Sequence, residues 1–200
     1  MVGMCCLLKR RCVRAAVRYK PEAELCTECE QSVATLPNPG SWREKQVTMS
    51  DDVQNLASAR HLLNSCNHAS LATLGEDDMP FASLVTLSAD AGRQPILLLS
   101  QLAVHTRNLD KRPQASLLLV QDGSTAADPL VRERLTVSGY VRACQDQGAA
   151  SAIFLRDHPH AAGYAGFADF SFYAMACTSA HLVAGFGRIA SFSADQLFFK

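Results

Sequence analysis

Between Asp51 and Cys66 the apolar residues Val53, Leu56, Ala59, Leu62 and Leu63 recur every three or four positions, the period of one helix face. Met49-Ser50-Asp51-Asp52 in front of them suits the start of a domain, with Ser50 or Asp51 as the helix N-cap. After Asn67 the period shortens to two. His68–Leu74 alternates as a strand, Gly75–Asp78 turns, and Pro80–Leu87 alternates again. Pro95–Ser100 (PILLLS) is apolar throughout and predicts a short buried strand. Ala103–Arg112 predicts a short helix ended by Pro113, and Ala115–Val120 and Arg134–Ala143 predict strands separated by a polar loop around Asp128-Pro129. A further helix covers Asp146–Arg156 and is stopped at His158-Pro159. Phe170–Met175 and His181–Phe186 close the chain as two strands joined by a short turn.

This pattern is mainly β with three peripheral helices. Its six or seven strands are joined by connections too short for the crossovers of a parallel sheet, which disfavours a Rossmann fold. An antiparallel split or closed β-barrel is the expected architecture.

Composition narrows the reading further. With 48% of residues apolar and 19% charged, the 200-residue chain can bury a core and is not a disordered polypeptide. Nineteen basic residues balance nineteen acidic ones, without the excess of positive charge that a nucleic-acid binder carries. No apolar run approaches the ~20 residues of a membrane-spanning helix, so no membrane insertion is expected.

The neutrality is a sum of unlike parts. Residues 1–48 hold five of the eight cysteines and eight basic against five acidic residues; all six histidines follow them. Pro37–Ser41 reads as a linker, and 1–48 as a dispensable tail preceding a domain over 49–200. Cys26-Thr-Glu-Cys29 lacks the second ligand pair that a zinc site needs and the preceding strand that a thioredoxin-like site needs, so no metal site is expected. Cys66, Cys144 and Cys177 sit among apolar neighbours and read as reduced core residues of a cytoplasmic protein.

Four blocks in order carry a resemblance: Ala72-Thr-Leu-Gly with Pro80–Val85; Leu98–Leu109; Asp128-Pro-Leu leading into Arg134–Gly139; and His158-Pro with Tyr164–Phe170 and Gly185-Phe-Gly-Arg188. From Asn67 to Arg188 the chain resembles the FMN-binding split-barrel superfamily, typified by pyridoxamine 5′-phosphate oxidase, and most of all its haem-utilisation branch. The resemblance implies a homodimer with flavin mononucleotide at the subunit interface, acting as a flavin-dependent oxidoreductase on a small molecule. It assigns cofactor contacts to Ser83, Leu84, Val85, Ser100, Gln101, His105, Thr106, Arg107 and Arg134. No catalytic residue is singled out.

The chemistry of these positions can be argued beside the resemblance. His105–Asn108 lies where a strand passes into a helix, and free backbone N–H groups there favour an anion such as a phosphate. The superfamily grips the phosphate at this turn with Arg and Lys, whereas here Val104 and His105 occupy those positions. Ser83 stands where the oxidase has an arginine; a hydroxyl donates a hydrogen bond but neutralises nothing. Leu84 and Val85 would lend backbone groups to the flavin edge, Ser100 and Gln101 its polar rim, and Arg134 a compensating charge. The pocket for a second, substrate phosphate is not evident, which argues against vitamin B6 chemistry.

Two other readings stay open. One is a haem-binding or haem-degrading protein, although the histidine of a C-terminal tail that ligates iron in that branch has no counterpart after His181, leaving His158, His160 or His181 as substitutes. The other is a non-catalytic dimeric barrel that has lost its cofactor. Tyr164, Phe167, Phe170 and Phe172 read as core or interface packing, and Gly185-Phe-Gly187 as a tight bend in the last strand.

Overall fold

A computed structural model describes residues 49–200 except 90, 91, 93, 122–127, 186, 199 and 200. The cysteine-rich tail and the linker lie outside the described residues. The elements are α1 (Met49–Ser65), β1 (His68–Leu74), β2 (Pro80–Ala89), β3 (Pro95–Ser100), α2 (Val104–Lys111), β4 (Gln114–Val120), β5 (Glu133–Ala143), α3 (Gln147–Asp157), β6 (Phe170–Ala184), β7 (Ile189–Ser193) and α4 (Ala194–Phe198). Among the described residues no helix is long and apolar enough to cross a membrane.

The strands pair antiparallel in the order β3-β2-β1-β4-β5-β6, and β3 pairs with β6 to close a six-stranded barrel. β7 adds to the far side of β6. The barrel interior is filled by alternate residues: Ala69 and Leu71 of β1, Leu117 and Leu119 of β4, Leu135, Val137 and Val141 of β5, and Leu182 of β6. α1 adds Ala59, Leu62 and Leu63 to this core, which explains the helical spacing of those residues.

A second, smaller core explains the unbroken apolar run of β3. Leu97 and Leu99 face the barrel, while Ile96 and Leu98 face outward under α3, where Phe154 and Phe172 meet at 5.6 Å. A strand covered on both faces cannot alternate.

Two expectations need correction. α1 begins at Met49, so Ser50 and Asp51 lie inside its first turn rather than capping it, and Asp51 and Asp52 there complement the helix dipole. Phe170–Met175 and His181–Phe186 are not two strands joined by a turn, because β6 runs unbroken from Phe170 to Ala184. The polar stretch Cys177-Thr-Ser179 is a β-bulge: Ser138 pairs with Ser179 but Gly139 pairs with Cys177, leaving Thr178 extra. That one residue reverses the inward phase from Met175 to Ala180, Leu182 and Ala184, which mimics a strand break in the sequence. β7 and α4 are elements that the sequence pattern did not reveal.

The bend at Gly185 and Gly187 is present, with φ of 80° and 81°, the left-handed region that favours glycine. Across it the Ala184 N–H donates to the Arg188 carbonyl at 2.8 Å.

Candidate functional site

The barrel is split between β2 and β3. Their ladder covers only Leu87–Ala89 against Pro95–Leu97, so residues 80–86 have β1 on one edge and no strand on the other. The start of α2 lies against this opening. There Ser83 Oγ and His105 Nδ1 share a 2.9 Å hydrogen bond. Both side chains are half-buried.

Ser100 is the hub of the turn into α2. Its hydroxyl donates to Asp169 Oδ2 at 2.6 Å and accepts from the Leu102 N–H at 3.1 Å. Its carbonyl accepts from the buried Thr106 hydroxyl at 2.7 Å, and the Gln101 N–H donates to the Asp169 carbonyl at 2.7 Å. The fold therefore gathers Ser83, Ser100, Gln101, His105 and Thr106 around one turn, as the sequence reading grouped them. Val85 is buried in the barrel, while the Leu84 side chain points to the opposite face and is 73% exposed.

The two arginines stand differently. Arg107 is exposed and donates from Nη1 to the Leu102 carbonyl at 2.6 Å. Arg134 pairs with Val120 and Val183, three strands round the barrel from Ser83. Its guanidinium donates to the carbonyls of Leu130 (2.8 Å) and Arg132 (3.4 Å). Within one protomer Arg134 does not join the turn.

Electrostatics decide what this turn suits. Burial holds the His105 imidazole below its ordinary value of 6.5, so it is neutral at neutral pH. The Asp169 carboxylate is hydrogen-bonded at the same turn, and the hydroxyls of Ser100 and Thr106 already donate elsewhere. A flavin phosphate is a dianion, and the turn as folded offers it backbone N–H groups and one exposed cation, Arg107, whose Nη1 also donates to the Leu102 carbonyl.

A second feature was not found from the sequence. On the outer face of β1, β4 and β5 lies a cavity of about 360 Å³ lined by Ala72, Leu74, Ser116, Ser138, Tyr140 and Thr178 among others. None of its lining residues is charged. The floor follows from register: Ala82, Ala72, Ser116, Ser138 and Ser179 form one cross-strand row of small side chains. The neighbouring row carries the exposed Leu84 and Leu118, with Ser70 between them. The signal in the sequence was the outward set of each strand, but strand pairing is needed to align the sets.

Two recognised motifs are structural. His158 is 3% exposed, shares a 2.7 Å hydrogen bond between Nε2 and the Leu87 carbonyl, and stacks on Phe154 at 4.6 Å. It ties the end of α3 to β2 and is not a free iron ligand. Arg188 holds α1 to the barrel, donating to Asn55 Oδ1 at 3.1 Å and lying 3.6 Å from Glu133. Among the described residues no three His, Cys, Asp or Glu side chains converge as a metal-ion site.

Comparison with known proteins agrees with this architecture. Residues 51–199 match the family model described as "CREG, beta-barrel". The chain is 34% identical over 117 residues to the chloroplastic non-canonical haem oxygenase HOZ of Arabidopsis thaliana, covering 56% of this chain and 35% of that protein. The chain thus spans about a third of that relative. A haem-binding protein from Mycobacterium smegmatis superposes with a TM-score of 0.67 at 32% identity, over 72% of this chain and 59% of that one. A pyridoxinephosphate oxidase family protein from Clostridium acetobutylicum shares the fold alone, with a TM-score of 0.57 at 16% identity, over 72% of this chain and 98% of that one. These neighbours are split barrels, as the sequence blocks implied.

Proposed function

The chain belongs to the CREG β-barrel family, and on that premise we propose that it is a haem-binding protein that acts in oxidative haem breakdown. One observation carries this reading: the cavity on the outer face of β1, β4 and β5 is lined without a single charged side chain. The apolar face of a large, planar ligand suits such a floor. The similarity to HOZ and to the Mycobacterium smegmatis protein supports the same choice.

The cavity, at about 360 Å³, is smaller than a whole porphyrin. The macrocycle would lie partly over the small-residue row, and a second copy of the chain, docked on the exposed Leu84 and Leu118, would cover the rest. Bound haem would supply the iron that activates oxygen. The chain's own part is to seat the macrocycle face on Ala72, Ser116 and Ser138 and to exclude water from it. Haemin titration tests the reading: a shifted, saturable Soret band is expected, and its absence overturns it.

The flavin reading retains one specific support, the convergence of Ser83, Ser100 and His105 beside the unpaired edge of β2 and the uncapped start of α2. Under it the purified protein is a yellow flavoprotein, and a colourless protein that takes up no added FMN removes it.

A further inference from the structure

We propose that a second cavity, between α2 and the end of β5, binds a free aliphatic α-amino acid, with its ammonium on Asp110 and its carboxylate on Arg142. The proposal stands apart from the haem reading. The cavity measures about 200 Å³. Asp110 on the last turn of α2, Pro113 in the connection to β4, Val141 and Arg142 near the end of β5, and Tyr173 of β6 line it.

One anion and one cation face this cavity, and neither is neutralised. Among the described residues the side chains of Asp110 and Arg142 make no ion pair or hydrogen bond, with each other or elsewhere. The basic residues around Asp110 are committed to other partners. Lys111 pairs with Glu76 at 3.0 Å and Arg112 with Asp78, both in the β1–β2 turn, and Arg107 donates to the Leu102 carbonyl. Backbone hydrogen bonds hold the frame. The Arg112 N–H donates to the Asn108 carbonyl and the Val141 N–H to the Pro113 carbonyl, each at 2.8 Å, which fastens the end of α2 to β5.

A buried phenol makes this pair a site. Tyr173 is 6% exposed and its ring belongs to the barrel core, yet its hydroxyl makes no hydrogen bond among the described residues. The only described side-chain polar atom that is both sealed off and unpartnered is Arg132 Nε, so the Tyr173 oxygen reaches the open space of the cavity. Burial, and after it the Asp110 carboxylate, push the phenol above its ordinary value of 10. Tyr173 is thereby kept as a neutral donor. A buried donor without a partner is costly, and a ligand that accepts from it removes that cost.

Size and charge select the ligand. A volume of 200 Å³ corresponds to about six or seven waters, too little for a nucleotide or a macrocycle. The guanidinium suits a carboxylate, held through paired N–H groups, and the phenol can donate to the same group. Asp110 suits an ammonium. The alkyl surfaces of Leu109, Pro113 and Val141 suit a short aliphatic side chain. A simple anion would meet Asp110 and a simple cation would meet Arg142, whereas a small zwitterion satisfies both.

The test is calorimetric titration of the full chain with L-alanine, L-valine, isovalerate and isobutylamine. The last two keep the valine side chain but lack its ammonium and its carboxylate, respectively. At least one of the two amino acids is expected to bind saturably and to raise the melting temperature, with isovalerate and isobutylamine at least tenfold weaker. Asp110→Asn and Arg142→Gln are each expected to weaken amino-acid binding tenfold or more. Tyr173→Phe is expected to weaken it several-fold while leaving the melting temperature of the ligand-free protein unchanged or higher, because the lost hydroxyl had no partner. No saturable binding of either amino acid at millimolar concentration overturns the proposal. Isovalerate or isobutylamine binding as tightly as L-valine overturns the zwitterion assignment, and unchanged binding in Asp110→Asn or Arg142→Gln overturns the site.

Discussion

Ser83 Oγ lies 2.9 Å from His105 Nδ1, and this hydrogen bond joins β2 to the first turn of α2 across the opening of the barrel. It places a hydroxyl and an imidazole held neutral by burial at that opening.

The pair makes stability pH-dependent. The folded-state pKa of His105 is lowered by burial, so the unfolded chain takes up the proton more readily as pH falls. Above the ordinary value of 6.5 both states are neutral and His105 contributes no pH dependence; below it the folded state loses stability progressively. His105→Gln should flatten this acid limb. Urea denaturation from above 6.5 into the acid range checks it, and parallel curves for the two proteins refute it.

Ser83→Arg adds a cation to the turn beside Arg107. Flavin mononucleotide affinity should then rise by tenfold or more, since a charge-assisted hydrogen bond to a phosphate contributes about 1.5–3 kcal/mol. Fluorescence quenching of added FMN measures it. Equal affinity in both proteins would mean that the phosphate is held elsewhere.

Gly139→Val should be destabilising by about 3 kcal/mol, because the new side chain meets the Ala176 carbonyl and forces β5 from β6. Chemical denaturation gives the magnitude. The same variant should lose haemin affinity, since the displaced bulge lines the cavity.

Phe154→Ala should cost about 3–5 kcal/mol. Its ring is fully buried in the second core, against Phe172 and His158. The melting temperature should drop accordingly, whereas an unchanged melt would show that α3 does not depend on this packing.

Leu118→Glu tests the proposed docking of a second copy. Leu118 is 38% exposed beside the small-residue row, and a carboxylate there would be desolvated on association. Light scattering should report a dimer for wild type and a monomer for the variant. A monomeric wild type would remove the second copy from the site.

The sequence by itself determined the strands whose periodicity is clean. His68–Leu74 and Pro95–Ser100 form as their patterns require, because alternation reports one buried face and an unbroken apolar run reports two. It also grouped Ser100 and His105, since the turn into α2 is local and their block, Leu98–Leu109, is contiguous, whereas Ser83 lies in a separate block and meets His105 only through the fold. Only the tertiary structure decided what depends on pairing between distant strands. β6 looked interrupted because a bulge shifts the phase of alternation by one residue without ending the strand. Arg134 reads along the chain as a compensating charge for the phosphate, and register sets it three strands from Ser83 within one protomer. The uncharged cavity was hidden for the same reason: Ala72, Ser116 and Ser138 are unremarkable along the chain and become one floor only when β1, β4 and β5 are laid side by side.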